Sequence, residues 1–203
     1  LAVIAILLNN GYALSLNDLA AASLKNLKNT KQSGEIAETV LRFFEQRLEP
    51  LFLSEGYGFD IIQSVLHFFA ELPLKEIQRR LQALKDFKDT ENYYDFLTAI
   101  KRVKNITSAS AVPSLKVKLL HEDQEKNLYE KFTAIKTEIV SLMDGHKYSE
   151  ALRILSGLTA PVNHFFDNVL VMDKHEEIKL NRLALLKDIW ATASSIADFS
   201  KLQ

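Results

Sequence analysis

Cysteine is missing from all 203 residues, so a disulfide framework, a thiolate zinc site and a cysteine nucleophile are excluded. A reducing, cytoplasmic setting is the corresponding expectation. Proline and glycine are scarce, at 4 and 6 residues, which favours long helices over a turn-rich β fold. No charge of one sign prevails: 25 Lys and Arg face 26 Asp and Glu, for a net charge of −1. Bulk charge therefore selects no nucleic-acid or membrane partner, and any RNA-binding cations must be concentrated locally. Long hydrophobic runs are also lacking. The opening LAVIAILL is too short to span a bilayer and has neither a basic leader nor a small-residue cleavage site. With no initiator Met before it, it reads as a cut-off core helix, and the chain is expected to be a fragment of something longer.

What the chain does contain is helical periodicity nearly everywhere. Hydrophobic residues at 47% and charged residues at 25% are ordinary for a globular protein and argue against wholesale disorder. From Glu35, the set Ile36, Val40, Phe43, Phe44, Leu48, Leu51 and Phe52 predicts one helix face, ending near Gly56. A second helix is expected after Gly58, with Asp60 as its cap and Ile61, Ile62, Val65, Leu66 and Phe69 inward. Pro73 suits the first turn of a third, with the stripe Leu74, Ile77, Leu81, Leu84 and Phe87. A fourth, from Glu91, carries Tyr94, Leu97, Ile100, Val103 and Ile106. The segment from 107 to 113, TSASAVP, reads as a linker. Beyond it, helices are expected from about His121 to Met143, from Tyr148 to Leu155, from Pro161, and from about Glu176 to Ala197. The last has the stripe Leu183, Leu186, Ile189, Trp190, Ala193 and Ile196. No stretch alternates with period two, so the expected fold class is all-α, an antiparallel bundle with short loops.

Catalytic chemistry is hard to find. The histidines stand at 67, 121, 146, 164 and 175 without metal-ligand spacing. His121-Glu122 and His175-Glu176 begin like HExxH, but Glu125 and Lys179 occupy the position of the second His. His67, in VLHFFA, reads as a partly buried core histidine. There is no glycine-rich phosphate loop and no GxSxG. The pair Glu176-Glu177 opens a helix, where it complements the dipole. No catalytic residue and no metal site is assigned.

Five phrases carry a family resemblance. KRVKNI at 101–106 is similar to the KRVxNI pattern of bacterial glycyl-tRNA synthetase β subunits. PVNHFFDNVLVM from Pro161 resembles their PVDxFFDxVMVM, with Asn163 and Leu170 as conservative departures. NRLALL and the terminal ADFSKL match NRLxLL and ADxSxL. RLEPLFLSEGYGFDIIQSVL resembles RLxxxLxxxGYxxDxIxAVL, with Ser64 in place of a common Ala. The opening LAVIAILLNNGYALSLNDLAAASL looks like the end of a preceding HD-like helical domain. The resemblance covers essentially the whole chain. It implies three segments: 1–30 as the end of that HD-like domain, 31–90 as a helical connecting region, and 91–203 as a DALR-type anticodon-binding bundle.

The resemblance further implies a two-subunit class II enzyme, in which α makes glycyl-adenylate with ATP and Mg while β grips tRNA-Gly. Synthetase adenylation motifs are absent here, so this fragment is expected to bind no cofactor and catalyse nothing alone. The expected partners are tRNA-Gly and the α subunit, without a membrane. Two alternatives stand beside this reading: a helical protein-interaction scaffold, or the corresponding domain of another synthetase such as the arginyl enzyme.

Lys101, Arg102 and Lys104 crowd one turn and cannot all face a core, so they are candidates for tRNA phosphates, with Asn105 for a base edge. The bland counterpart has Arg102 pairing with a carboxylate across the bundle, Asn105 capping a helix and the lysines merely solvated. Arg79 and Arg80, with Lys85 and Lys88, form a basic stretch that either extends an RNA track or faces water. Asp167 and Arg182 invite pairing, and a partly buried ion pair or a helix-end hydrogen bond fixing the two last helices is expected of them rather than RNA contact. Phe165 and Phe166 are expected to pack, with at least one ring buried.

Overall fold

A computed structural model describes residues 2–25, 33–107 and 112–203. Among them the chain is all-α, with ten α-helices, two short 3-10 turns and a single isolated bridge between Ser15 and Pro73. It divides into two compact units: residues 1–85 with 201–203, and residues 86–200. The expected boundary at 30/31 and most of the expected 107–113 linker lie outside the described residues.

The first unit begins with α1 (Ala2–Asn10) and α2 (Leu16–Lys25). Ser15 and Asp18 cap α2 reciprocally. The Asp18 amide donates to Ser15 Oγ at 3.0 Å, and the Ser15 amide and hydroxyl donate to Asp18 Oδ2 at 3.1 and 2.7 Å. These bonds hold the Asp18 carboxyl below the usual carboxylate range. Helix α3 (Ser33–Ser54) contains Pro50 and ends with Gly56 at φ 85°, a left-handed stop that suits glycine. Only the second half of its predicted stripe is core: Leu48 and Phe52 are fully buried, whereas Ile36, Val40 and Phe43 are exposed. Ile36 and Val40, with Leu16, Leu24 and Phe44, border an open apolar pocket of about 360 Å³.

Helix α4 (Phe59–Val65) is capped by Gly58 without a side-chain bond, so the expected cap at Asp60 is displaced. Asp60 sits inside the first turn and accepts the Gln203 amide at 2.9 Å. His67, in the 3-10 turn that follows, is exposed and lies against Phe68, which corrects its reading as a core residue. The predicted stripe of α5 (Leu74–Lys88) is buried throughout.

The second unit holds α6 (Tyr93–Thr107), α7 (Asp123–Asp144), α8 (Tyr148–Ser156), α9 (Thr159–Asn168) and α10 (Glu176–Ser194). Helix α10 packs on α6 and α7, α7 on α9, and α9 on α6, so these four close a ring, with α8 against α7. The sequence suggests one stripe on α10, but Asn181 to Leu186 are all buried. A helix buried all round needs its polar positions satisfied. Asn181 does this by mimicking a strand: Lys116 N–H donates to its Oδ1 at 2.7 Å, and its Nδ2 donates to the Lys116 carbonyl at 3.1 Å. Perpendicular ring contacts run from Tyr93 to Phe87, Phe96 and Phe199, at 5.3 to 5.7 Å.

Candidate nucleic-acid interface

Helix α6 displays a sharp division of faces. Tyr93, Phe96, Leu97, Ala99, Ile100, Val103 and Thr107 are buried. At 100° per residue, Tyr94, Thr98, Lys101, Arg102 and Asn105 share the opposite side. Tyr94, Thr98, Arg102 and Asn105 are exposed there, and Lys101 is half-buried. The expectation that Tyr94 belongs to the core stripe is therefore overturned. Tyr93 takes the core position at 1% exposure, and Tyr94 is 65% exposed.

The three cations of KRVKNI have separate surroundings. The Arg102 guanidinium lies 4.3 Å from the centre of the Phe166 ring and 3.7 Å from Asp167 Oδ1, both on α9. Arg102 and Asp167 are half or more exposed, so this pair is worth only about 0–1 kcal/mol. A phosphate can take the carboxylate's place at little cost, while the ring keeps the guanidinium plane oriented. Lys104 turns the other way. Its ammonium donates to Ser200 Oγ at 2.7 Å, lies 3.6 Å from Asp198 and sits over the Trp190 ring. Of the three cations expected from the sequence to be exposed, only Arg102 is; Lys101 is half-buried on the same side, and Lys104 is half-buried and engaged by the ADFSKL turn.

Asp167 and Arg182 do not meet. Arg182, at 4% exposure, donates through Nε to Glu125. Its Nη1 donates to the Leu170 carbonyl at 2.8 Å and to Asp173 Oδ2 at 3.0 Å. Partner choice follows burial: Glu125 is fully buried and Asp167 faces solvent, so the buried cation requires the buried carboxylate. Glu125 also accepts the His121 and Glu122 amides at 2.6 and 3.1 Å, closing the capping box of α7. Asp173 is held below the usual carboxylate range by bonds from the His175 amide and ring, reinforced by Arg182. Arg182 thereby fixes the 169–175 connection that enters α10. Phe165 is fully buried and Phe166 half-buried, in perpendicular contact at 5.6 Å, as expected for adjacent phenylalanines.

The other basic stretch is less available. Arg80 is 5% exposed beneath Phe68, which removes it from any open RNA track, and Arg79 pairs with Glu76 at 2.5 Å. Lys85 donates to the Gly56 carbonyl at 3.0 Å. Among the described residues no group of three His, Cys, Asp or Glu side chains is arranged to hold a metal ion, and no helix is long and apolar enough to cross a membrane.

Residues 96–198, half the chain, match the family described as the DALR anticodon binding domain. The chain belongs to that family. Its matched segment contains α6 from Phe96 onward and all of α7 to α10, so the stripe from Thr98 to Asn105 lies on a helix of the DALR domain. Across its full length the chain is also similar to glycine–tRNA ligase beta subunits. It is 36% identical to that of Thermodesulfovibrio yellowstonii over 98% of this chain. The beta subunits of Syntrophus aciditrophicus and Aliivibrio fischeri are 32% and 34% identical over all of it. The chain spans only about 29–30% of the length of these relatives.

Sequence reasoning missed Glu125 and Asn181 as anchors of the DALR domain. Glu125 was weighed only as the wrong residue for a metal ligand, yet Glu122 and Glu125 at capping-box spacing were the available signal. For Asn181 the signal was its place at the head of the NRLALL phrase, an amide leading an apolar run.

Proposed function

We propose that this chain is the anticodon-gripping part of a glycine–tRNA ligase beta subunit, with α6 as its RNA-facing helix. The observation that carries this reading is the α6 stripe: two cations and an amide on the open side of a DALR-domain helix. Lys101 and Arg102 take loop phosphates, and Asn105 reads a base edge. Arg102 exchanges Asp167 for phosphate while stacked on Phe166. Lys104 acts indirectly, holding the C-terminal turn against α6. In the whole enzyme this binding serves the ATP- and Mg-dependent attachment of glycine to tRNA-Gly, performed with an α subunit in the cytoplasm. Neither ATP nor Mg is assigned to residues of this chain.

The test is binding of tRNA-Gly, and of a tRNA altered at the anticodon, at about 50 and about 200 mM salt. Two phosphate contacts at a slope of about −0.7 each predict about sevenfold weaker binding at the higher salt. Equal affinity for both RNAs at both salts would overturn the reading. The interaction-scaffold alternative draws support from the exposed Ile36, Val40 and Phe43 face of the first unit, and it would survive that result.

A further inference from the structure

Tyr94 is the large aromatic that the core rejects on a helix whose other exposed positions are polar. Its ring stands nearly perpendicular to the buried Tyr93, with centres 5.1 Å apart, and the side chain is 65% exposed. The contact with a fully packed neighbour restrains the ring without covering it. On the same side of α6 follow Thr98, whose hydroxyl donates to the Tyr94 carbonyl at 2.8 Å, then Lys101 and Asn105. At 1.5 Å per residue, Lys101 stands about 10 Å and Asn105 about 16 Å along the helix from Tyr94. An aromatic plane, a cation and an amide in line are the three groups that hold an unpaired strand: stacking for a base, charge for its phosphate, hydrogen bonds for an edge. Tyr94 precedes the segment that matches the DALR family, so family membership assigns it nothing.

We propose that Tyr94 is a base-stacking residue: its ring takes an unstacked base of an RNA loop whose backbone runs along α6 past Lys101 toward Asn105. This rests on the reading of α6 as the RNA-facing helix and adds the residue that grips a base without reading its sequence. A π-face accepts any base, so Tyr94 supplies affinity, and discrimination falls to Asn105.

The experiment uses the 203-residue chain and an RNA hairpin with the anticodon arm of tRNA-Gly, carrying 2-aminopurine at successive loop positions. Binding should quench the fluorophore at the position stacked on Tyr94. Tyr94→Ala should abolish that quench and weaken binding about 5- to 150-fold, with helical circular dichroism unchanged. Tyr94→Phe should preserve both. Tyr94→Leu, which keeps apolar bulk but no π-face, should behave like the alanine variant. If Lys101→Glu weakens binding while Tyr94→Ala changes neither affinity nor quench, the stacking assignment falls and the RNA reading stands. If the unsubstituted chain does not bind the hairpin at low salt, both fall together.

Discussion

Replacing Arg182 by Met should be among the most damaging single changes in the DALR domain. The side chain is 5% exposed and its partner Glu125 is fully buried, so the substitution strands a carboxylate away from water. Breaking one side of such a pair costs about 3–5 kcal/mol. Glu125 retains the His121 and Glu122 amides as donors, which places the expectation at the lower end, about 3 kcal/mol. The assay is urea unfolding followed by the fluorescence of Trp190, the single tryptophan, which stands on α10 in the same unit. With a urea slope of about 1.5 kcal/mol/M, the midpoint should fall by about 2 M. The double variant Arg182→Met with Glu125→Leu removes the stranded charge and should recover part of that loss, despite forfeiting the α7 capping box. A midpoint shift for Arg182→Met below about 0.5 M, under about 1 kcal/mol, would refute the claim that this pair organises the unit. A double variant no better than the single one would refute the stranded-charge explanation.

Two further predictions concern stability. Ser15→Ala removes the acceptor for the Asp18 amide and should cost about 1 kcal/mol, seen as faster hydrogen exchange in the first turn of α2; unchanged exchange there would dismiss the cap. Asp173 is held below the usual carboxylate range, so its contribution is complete above the unfolded pKa of about 3.9 and is lost as pH falls through the folded value. The urea midpoint of the Trp190 transition should therefore decline on acidification below about pH 4, and Asp173→Asn should flatten that decline. An equally steep decline in the variant would move the acid sensitivity elsewhere.

The fold class was legible because helical stripes repeat almost without interruption, and most inward positions of α5 and α7 are those the periodicity selects. What periodicity could not settle was phase. Tyr93 and Tyr94 both fit a face with Leu97, at i+4 and i+3, and the choice is made by Phe87, which meets Tyr93 at 5.7 Å. Nor can periodicity tell whether a stripe finds a partner: the first half of α3 reads as core, yet Ile36, Val40 and Phe43 face outward. Charge pairing was the least legible level. Asp167 and Arg182 stand in consecutive motif phrases, but α9 turns Asp167 toward Arg102 while α10 buries Arg182 beside Glu125, 57 residues away. The motif phrases were nevertheless placed where the chemistry gathers. KRVKNI is met by FFD through Arg102 and by ADFSKL through Lys104, so two of the phrases that suggested a family pack against the helix that carries a third.

Whether the open face of α6 grips the anticodon arm is read most directly from the affinity of the charge-reversed chain for tRNA-Gly. Lys101→Glu with Arg102→Glu should leave helical content intact, weaken binding to the native and the anticodon-altered tRNA alike and flatten the salt dependence by the share of two phosphate contacts, about 1.4 in log–log slope. A reversed chain that binds tRNA-Gly with the original affinity and salt slope would show that this face does not grip the RNA.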